Sequence, residues 1–182
     1  MINKFFLFTI LLISFLFNTS NVFADQNDPR LDILFLNVKD SQNEVASSIY
    51  ITSIWRIWSE TNNQNSQQIY DLGNQLLKQR KYEQSLVIFT ELVNKEPYFA
   101  EGWNKRATLH FLMGNFNESI QDINKTLALE PRHFGALDGL GQIQFKLNNF
   151  YESIQTYEKL LTIVPHSSSA KKMLELMNAQ FI

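Results

Sequence analysis

Apolar residues recur with a helical period over most of this chain, and one block at the start breaks the pattern. Phe5–Phe17 is a nearly unbroken apolar run of thirteen residues behind a single basic residue, Lys4, and Val22-Phe23-Ala24 precedes Asp25. That order of basic, apolar and small residues is the order of a secretory signal, here residues 1–24, cleaved after Ala24. A lipid-spanning helix needs about 20 apolar residues, so the run is short for an anchor, although an uncleaved N-terminal anchor is the alternative.

Beyond Asp25 the pattern predicts helices throughout. Asp28-Pro29 opens a helix well, since aspartate caps orphan amides and proline is preorganised at the first helical position. Leu31, Leu34, Phe35 and Val38 then share one face, and Asp40-Ser41 ends the segment. A second helix is expected over about 43–60, carrying Val45, Ile49, Ile54, Trp55 and Trp58. These two segments, within 25–65, read as a diverged helix pair stacked in front of a set of repeats.

The repeats are marked by proline. Pro97, Pro131 and Pro165 stand 34 residues apart and divide the chain into units 66–99, 100–133 and 134–167. In each unit, positions 4, 7 and 8 form the inner stripe of a first helix, with Gly73, Ala107 and Gly141 at position 8. A turn comes next. An aromatic residue (Tyr82, Phe116, Phe150) opens a second helix, with serine at position 20 (Ser85, Ser119, Ser153) and a large residue at position 24 (Phe89, Ile123, Tyr157). Proline then stops the helix. One such hairpin cannot bury its own apolar face, so stacked neighbours share a core. Ser167-Ser168-Ser169 reads as the cap of a last helix within 168–182, and about nine helices and essentially no strand are expected.

The period, the small residue at position 8, the aromatic at 17 and the proline at 32 resemble the tetratricopeptide repeat family. Glu101–Thr108 and Pro131–Leu137 are further similar to secreted alphaproteobacterial members without an assigned activity. The resemblance implies an all-α solenoid of antiparallel helix hairpins wound as a right-handed superhelix, with the first helices lining a concave groove. On that pattern the partner-binding residues are Tyr70, Asn74, Lys78, Asn104, Thr108, Phe111, Asp138, Gln142 and Lys146. Their mixture of amide, aromatic and single-charge side chains suits an extended peptide or a partner helix. Trp103, at position 4, is expected in the core. Some members clamp a carboxylate with lysine and asparagine at positions 5 and 9; Asn74 matches, but Tyr70, Gly135 and Gly139 stand where basic residues are required, so that mode is rejected here.

Charge and chemistry add exclusions. Without the signal, 15 basic and 18 acidic residues remain, a balance that gives no reason to expect nucleic acid or an anionic membrane as partner. There is no cysteine, hence no disulfide, thiol nucleophile or thiolate site. His110, His133 and His166 lack the close spacing of a metal site. No phosphate loop or nucleophile motif is present, and Glu101 and His110 are too far apart on one helix to act as an acid–base pair. The expectation is therefore a non-catalytic periplasmic adaptor or assembly factor needing no cofactor, with a protein or peptide partner in the groove. The rivals are a constitutive subunit of an envelope complex, held through its convex face or the Trp55/Trp58 helix, and more distantly a hydrolase or metal-handling protein.

Overall fold

Inside each unit the chain reverses through one recurring turn, in which position 15 takes a left-handed φ: 59° at Arg80, 80° at Gly114 and 61° at Asn148. Glycine meets that geometry freely, whereas a residue with a Cβ is strained there by about 1–2 kcal/mol. Arg80→Gly should therefore raise stability by up to about 1 kcal/mol, part of the gain being offset by glycine's greater freedom in the unfolded chain. A lower urea midpoint would contradict this.

The computed structural model describes residues 25–180; the expected signal, 1–24, lies outside them. Among the described residues there are nine helices and no strand: α1 (Arg30–Asp40), α2 (Glu44–Trp58), α3 (Gln64–Lys78), α4 (Tyr82–Lys95), α5 (Ala100–Leu112), α6 (Phe116–Leu129), α7 (Phe134–Lys146), α8 (Phe150–Ile163) and α9 (Ser168–Gln180). No described helix is long and apolar enough to cross a membrane. The hairpins α3–α4, α5–α6 and α7–α8 are the three units, stacked in order and followed by α9.

The serine at position 20 does more than leave room. Ser85, Ser119 and Ser153 each donate to the carbonyl at position 8 of the facing helix, Gly73, Ala107 and Gly141, at 2.8 Å every time. All three serines are buried. In the first and third units the position-24 ring packs within its own hairpin, on the glycine at position 8. A Cβ on Gly73 or Gly141 would come 2.7 Å from the Phe89 or Tyr157 ring.

The N-terminal pair does not stack in front of the first unit, which corrects the sequence expectation. It is laid lengthwise across the repeats. The side chain of Gln26 bonds the Tyr98 carbonyl and the Ala100 amide at the first inter-unit turn. Asp32 pairs with Arg132 at the second, 2.7 Å away, and the Ser41 carbonyl accepts from His166 at the third. The chain reverses, Asn43 caps α2 by accepting from the Ala46 amide, and α2 runs back. Glu44 meets Ser168 at the far end, Trp55 meets α7, and Ser59 meets Tyr70 of the first unit. The pair is hydrophobically committed: Leu31, Val38 and Ile54 are fully buried, in one cluster with Leu137, Tyr157 and Met177. Burial of each such side chain contributes about 1.5–3 kcal/mol.

The reason lies in Gly135 at the start of α7, where a Cβ would fall 2.5 Å from Trp55. Only a residue without a side chain lets that indole sit on the helix. Gly135→Ala should cost about 1–3 kcal/mol by overpacking. An unchanged denaturation midpoint would show that the indole has room to move.

Candidate binding groove

α3, α5 and α7 line the groove, and α2 walls one side of it. Ser47, Ile51, Thr52 and Trp55 of α2 face Gly135 and Asp138 of α7 across a depression of about 420 Å³. The nine residues picked from the sequence border three further depressions. Asn104, Thr108, Phe111, Asp138 and Gln142 line a cavity of about 250 Å³ between α5 and α7. Tyr70, Asn74 and Lys78 line one of about 610 Å³. Asp138, Gln142 and Lys146 line one of about 390 Å³ that reaches Lys172 and Met173 of α9.

Two of the nine are not open to a partner. Tyr70 is 4% exposed and Asn104 6%. Both turn inward because Glu101, a fully buried carboxylate, needs donors there. Its Oε1 lies 3.0 Å from the Lys105 ammonium and 3.3 Å from the Tyr70 hydroxyl. Its Oε2 takes the Asn104 amide and His133 Nε2, each at 2.9 Å. His133 Nδ1 accepts the Ala136 amide and so caps α7, which puts the ring proton on Nε2, facing Glu101. The imidazole lies flat on Trp58, 4.2 Å between centroids and 10° between planes. Burial pushes the Glu101 carboxyl up, but the Lys105 charge and the His133 hydrogen bond outweigh it and hold it at about 2. Burial and the Glu101 charge push the Tyr70 phenol up to about 12, so it stays a donor.

This network is structural. Glu101 and His133 both have fully buried side chains, so no substrate reaches them. Sequence reasoning weighed Glu101 against His110 and missed His133. The signal was the repeat itself, because the two residues are 32 apart, nearly one period, and stacking brings such positions side by side. His110 instead lies 3.9 Å from Asp122, which Arg106 grips through two 2.7 Å bonds. Trp103 also departs from expectation. It is partly exposed, its indole N–H donates to the Pro97 carbonyl at 3.0 Å, and the Arg106 guanidinium lies 4.8 Å above its ring. Among the described residues no three His, Cys, Asp or Glu side chains are placed to hold a metal ion.

The tetratricopeptide repeat model matches residues 100–133 and 135–166, the second and third units. Those two units are tetratricopeptide repeats. The first unit shares their hairpin, their position-15 turn and their serine bond. A TPR repeat-containing protein of Rhizobium etli is 33% identical over 114 residues, 63% of this chain and 56% of that protein. Hsp70-Hsp90 organizing protein 1 of Glycine max is 29% identical over 72 residues, 40% of this chain and 13% of that protein. The chain thus spans about half the length of the first relative and a small part of the second. Among solved structures, the first tetratricopeptide domain of Spaghetti, bound to the HSP90 peptide SRMEEVD, has a TM-score of 0.63 at 24% identity, covering 66% of this chain and 95% of that one. The Sgt2 tetratricopeptide domain of Aspergillus fumigatus has a TM-score of 0.60 at 18% identity, covering 65% and 80%. At these identities the likeness is one of fold.

Proposed function

We propose that this protein is a non-catalytic interaction module that holds a peptide or partner helix in the groove between α5, α7 and α9. The observation that carries this reading is the run of adjoining depressions bordered by Thr108, Phe111, Asp138, Gln142 and Lys146, which the N-terminal hairpin walls but leaves open. Peptide binding by the Spaghetti tetratricopeptide domain supports it at the level of fold. The N-terminal apolar run supports an exported, periplasmic adaptor. Affinity capture with the tagged protein tests the reading, with Thr108→Arg/Gln142→Arg as the control. A partner retained equally by that variant would remove the groove from the mechanism. N-terminal sequencing of the fractionated protein should begin at Asp25.

A second reading, a fixed subunit of an envelope complex, has its own observation. Val45 and Ile49 on α2 are 79% and 66% exposed, and Ile33 and Leu36 on α1 are also open. The tryptophans proposed for that contact are engaged internally instead, Trp58 being 1% exposed. Loss of a partner with Val45→Glu/Ile49→Glu, and not with the groove variant, would favour this second reading.

A further inference from the structure

Six glycines stand in the chain, and five have a local reason to be glycine. Gly73, Gly141 and Gly135 lie under the Phe89, Tyr157 and Trp55 rings, Gly102 lies tight against Phe99, and Gly114 has a φ of +80°. Gly139 has none of these reasons. It sits in the middle of α7, where glycine is the poorest helix former after proline. A Cβ there would meet only Ile123 Cδ1, at an ordinary 3.6 Å. The space it leaves open is the α5–α7 cavity, floored by Ala107, Ile123 and Ala136.

We propose that this cavity takes one aliphatic side chain of a partner's extended segment, and that Lys146 and Lys172 take an acidic side chain close to it in that segment. This rests on the protein-binding reading and names its ligand chemistry. The size fits. An apolar cavity of about 150 Å³ admits a benzene ring, so about 250 Å³ accommodates a leucine or methionine side chain. The charge fits as well. The next depression shares Asp138 and Gln142 with the cavity and sets Lys146 and Lys172 against that single carboxylate. Asp138 is already held, by Gln142 Nε2 at 2.7 Å and Ser169 Oγ at 3.2 Å.

The test is selection of random nonapeptides displayed on phage against the full-length protein, followed by anisotropy titrations with the synthetic peptides. Enriched peptides should carry Leu, Ile or Met with Asp or Glu within a few residues. Gly139→Leu, which fills the cavity from within the helix, should weaken them at least tenfold, and Gly139→Ala by less while raising the melting midpoint. Lys146→Glu/Lys172→Glu should weaken the acidic peptide about tenfold and leave its Asp/Glu→Ala counterpart unchanged. Peptides that bind Gly139→Leu and the lysine variant as tightly as the parent would overturn this proposal and leave the binding reading standing. No enrichment over the bare support would overturn both.

Discussion

Trp58→Ala should lower the unfolding free energy by about 3–5 kcal/mol, the range for emptying a buried aromatic site. Trp58 is 1% exposed and is where the N-terminal hairpin meets the repeats. Its ring stacks on His133, lies 5.0 Å from Phe134 and 5.9 Å from Phe35, and meets Trp55 edge-on at 5.5 Å. Truncation removes one wall from His133, and through it from Glu101, and the rigid rings around the gap cannot fill it. A urea melt followed by circular dichroism measures the loss, with Trp58→Phe as the milder control. A loss under about 1 kcal/mol would mean the hairpin is loosely docked, contrary to the burial of Leu31, Val38 and Ile54.

The second large effect belongs to Glu101. Its folded value of about 2 lies below its ordinary 4.5, so its contribution is full above about pH 4.5 and is lost as pH falls toward 2. The difference corresponds to about 3 kcal/mol. Glu101→Gln keeps the shape and an oxygen for the His133 proton, but it strips the Lys105 ammonium of its counter-charge. The variant should lose about 3 kcal/mol at pH 7, in the range for breaking a buried ion pair from one side. It should also lose the corresponding part of the acid sensitivity between pH 4.5 and 2. Parallel acid-limb stability curves for the two proteins would show that Glu101 is not the group responsible.

The repeats were legible because their causes are local. Proline spacing set the units, and position 8 set the close approach. The role of serine at position 20 was half legible: its size is plain in the sequence, but its bond to the facing carbonyl needs the helix crossing. The groove was legible only as a face. Tyr70 and Asn104 hold groove positions by register, yet a neighbouring buried carboxylate recruits them, and register does not reveal that. The N-terminal hairpin was read correctly as a helix pair packed on the repeats, but at the front of the first unit and not along all three. Its apolar periodicity says which side is buried, not against what. The clue to its seat was Gly135, a glycine in the first turn of α7 whose φ is ordinary, so that only the close approach of another element explains it.

Ordinary repeat arrays are nearly one-dimensional, because each unit touches only its neighbours and can melt from either end. Here Asp32 meets Arg132, Ser41 meets His166 and Glu44 meets Ser168, across 100, 125 and 124 positions of sequence. Such distant pairings raise the contact order and slow folding. The hairpin precedes in sequence every unit it seats on, so its seat is complete only once α9 has been made, on the order of 6–25 s later at typical synthesis rates. Once docked, the hairpin ties the three described units together at their turns, so none of them opens without breaking a contact to it. Amide exchange should therefore be protected evenly along the units, where an open array would show a gradient from the middle outward.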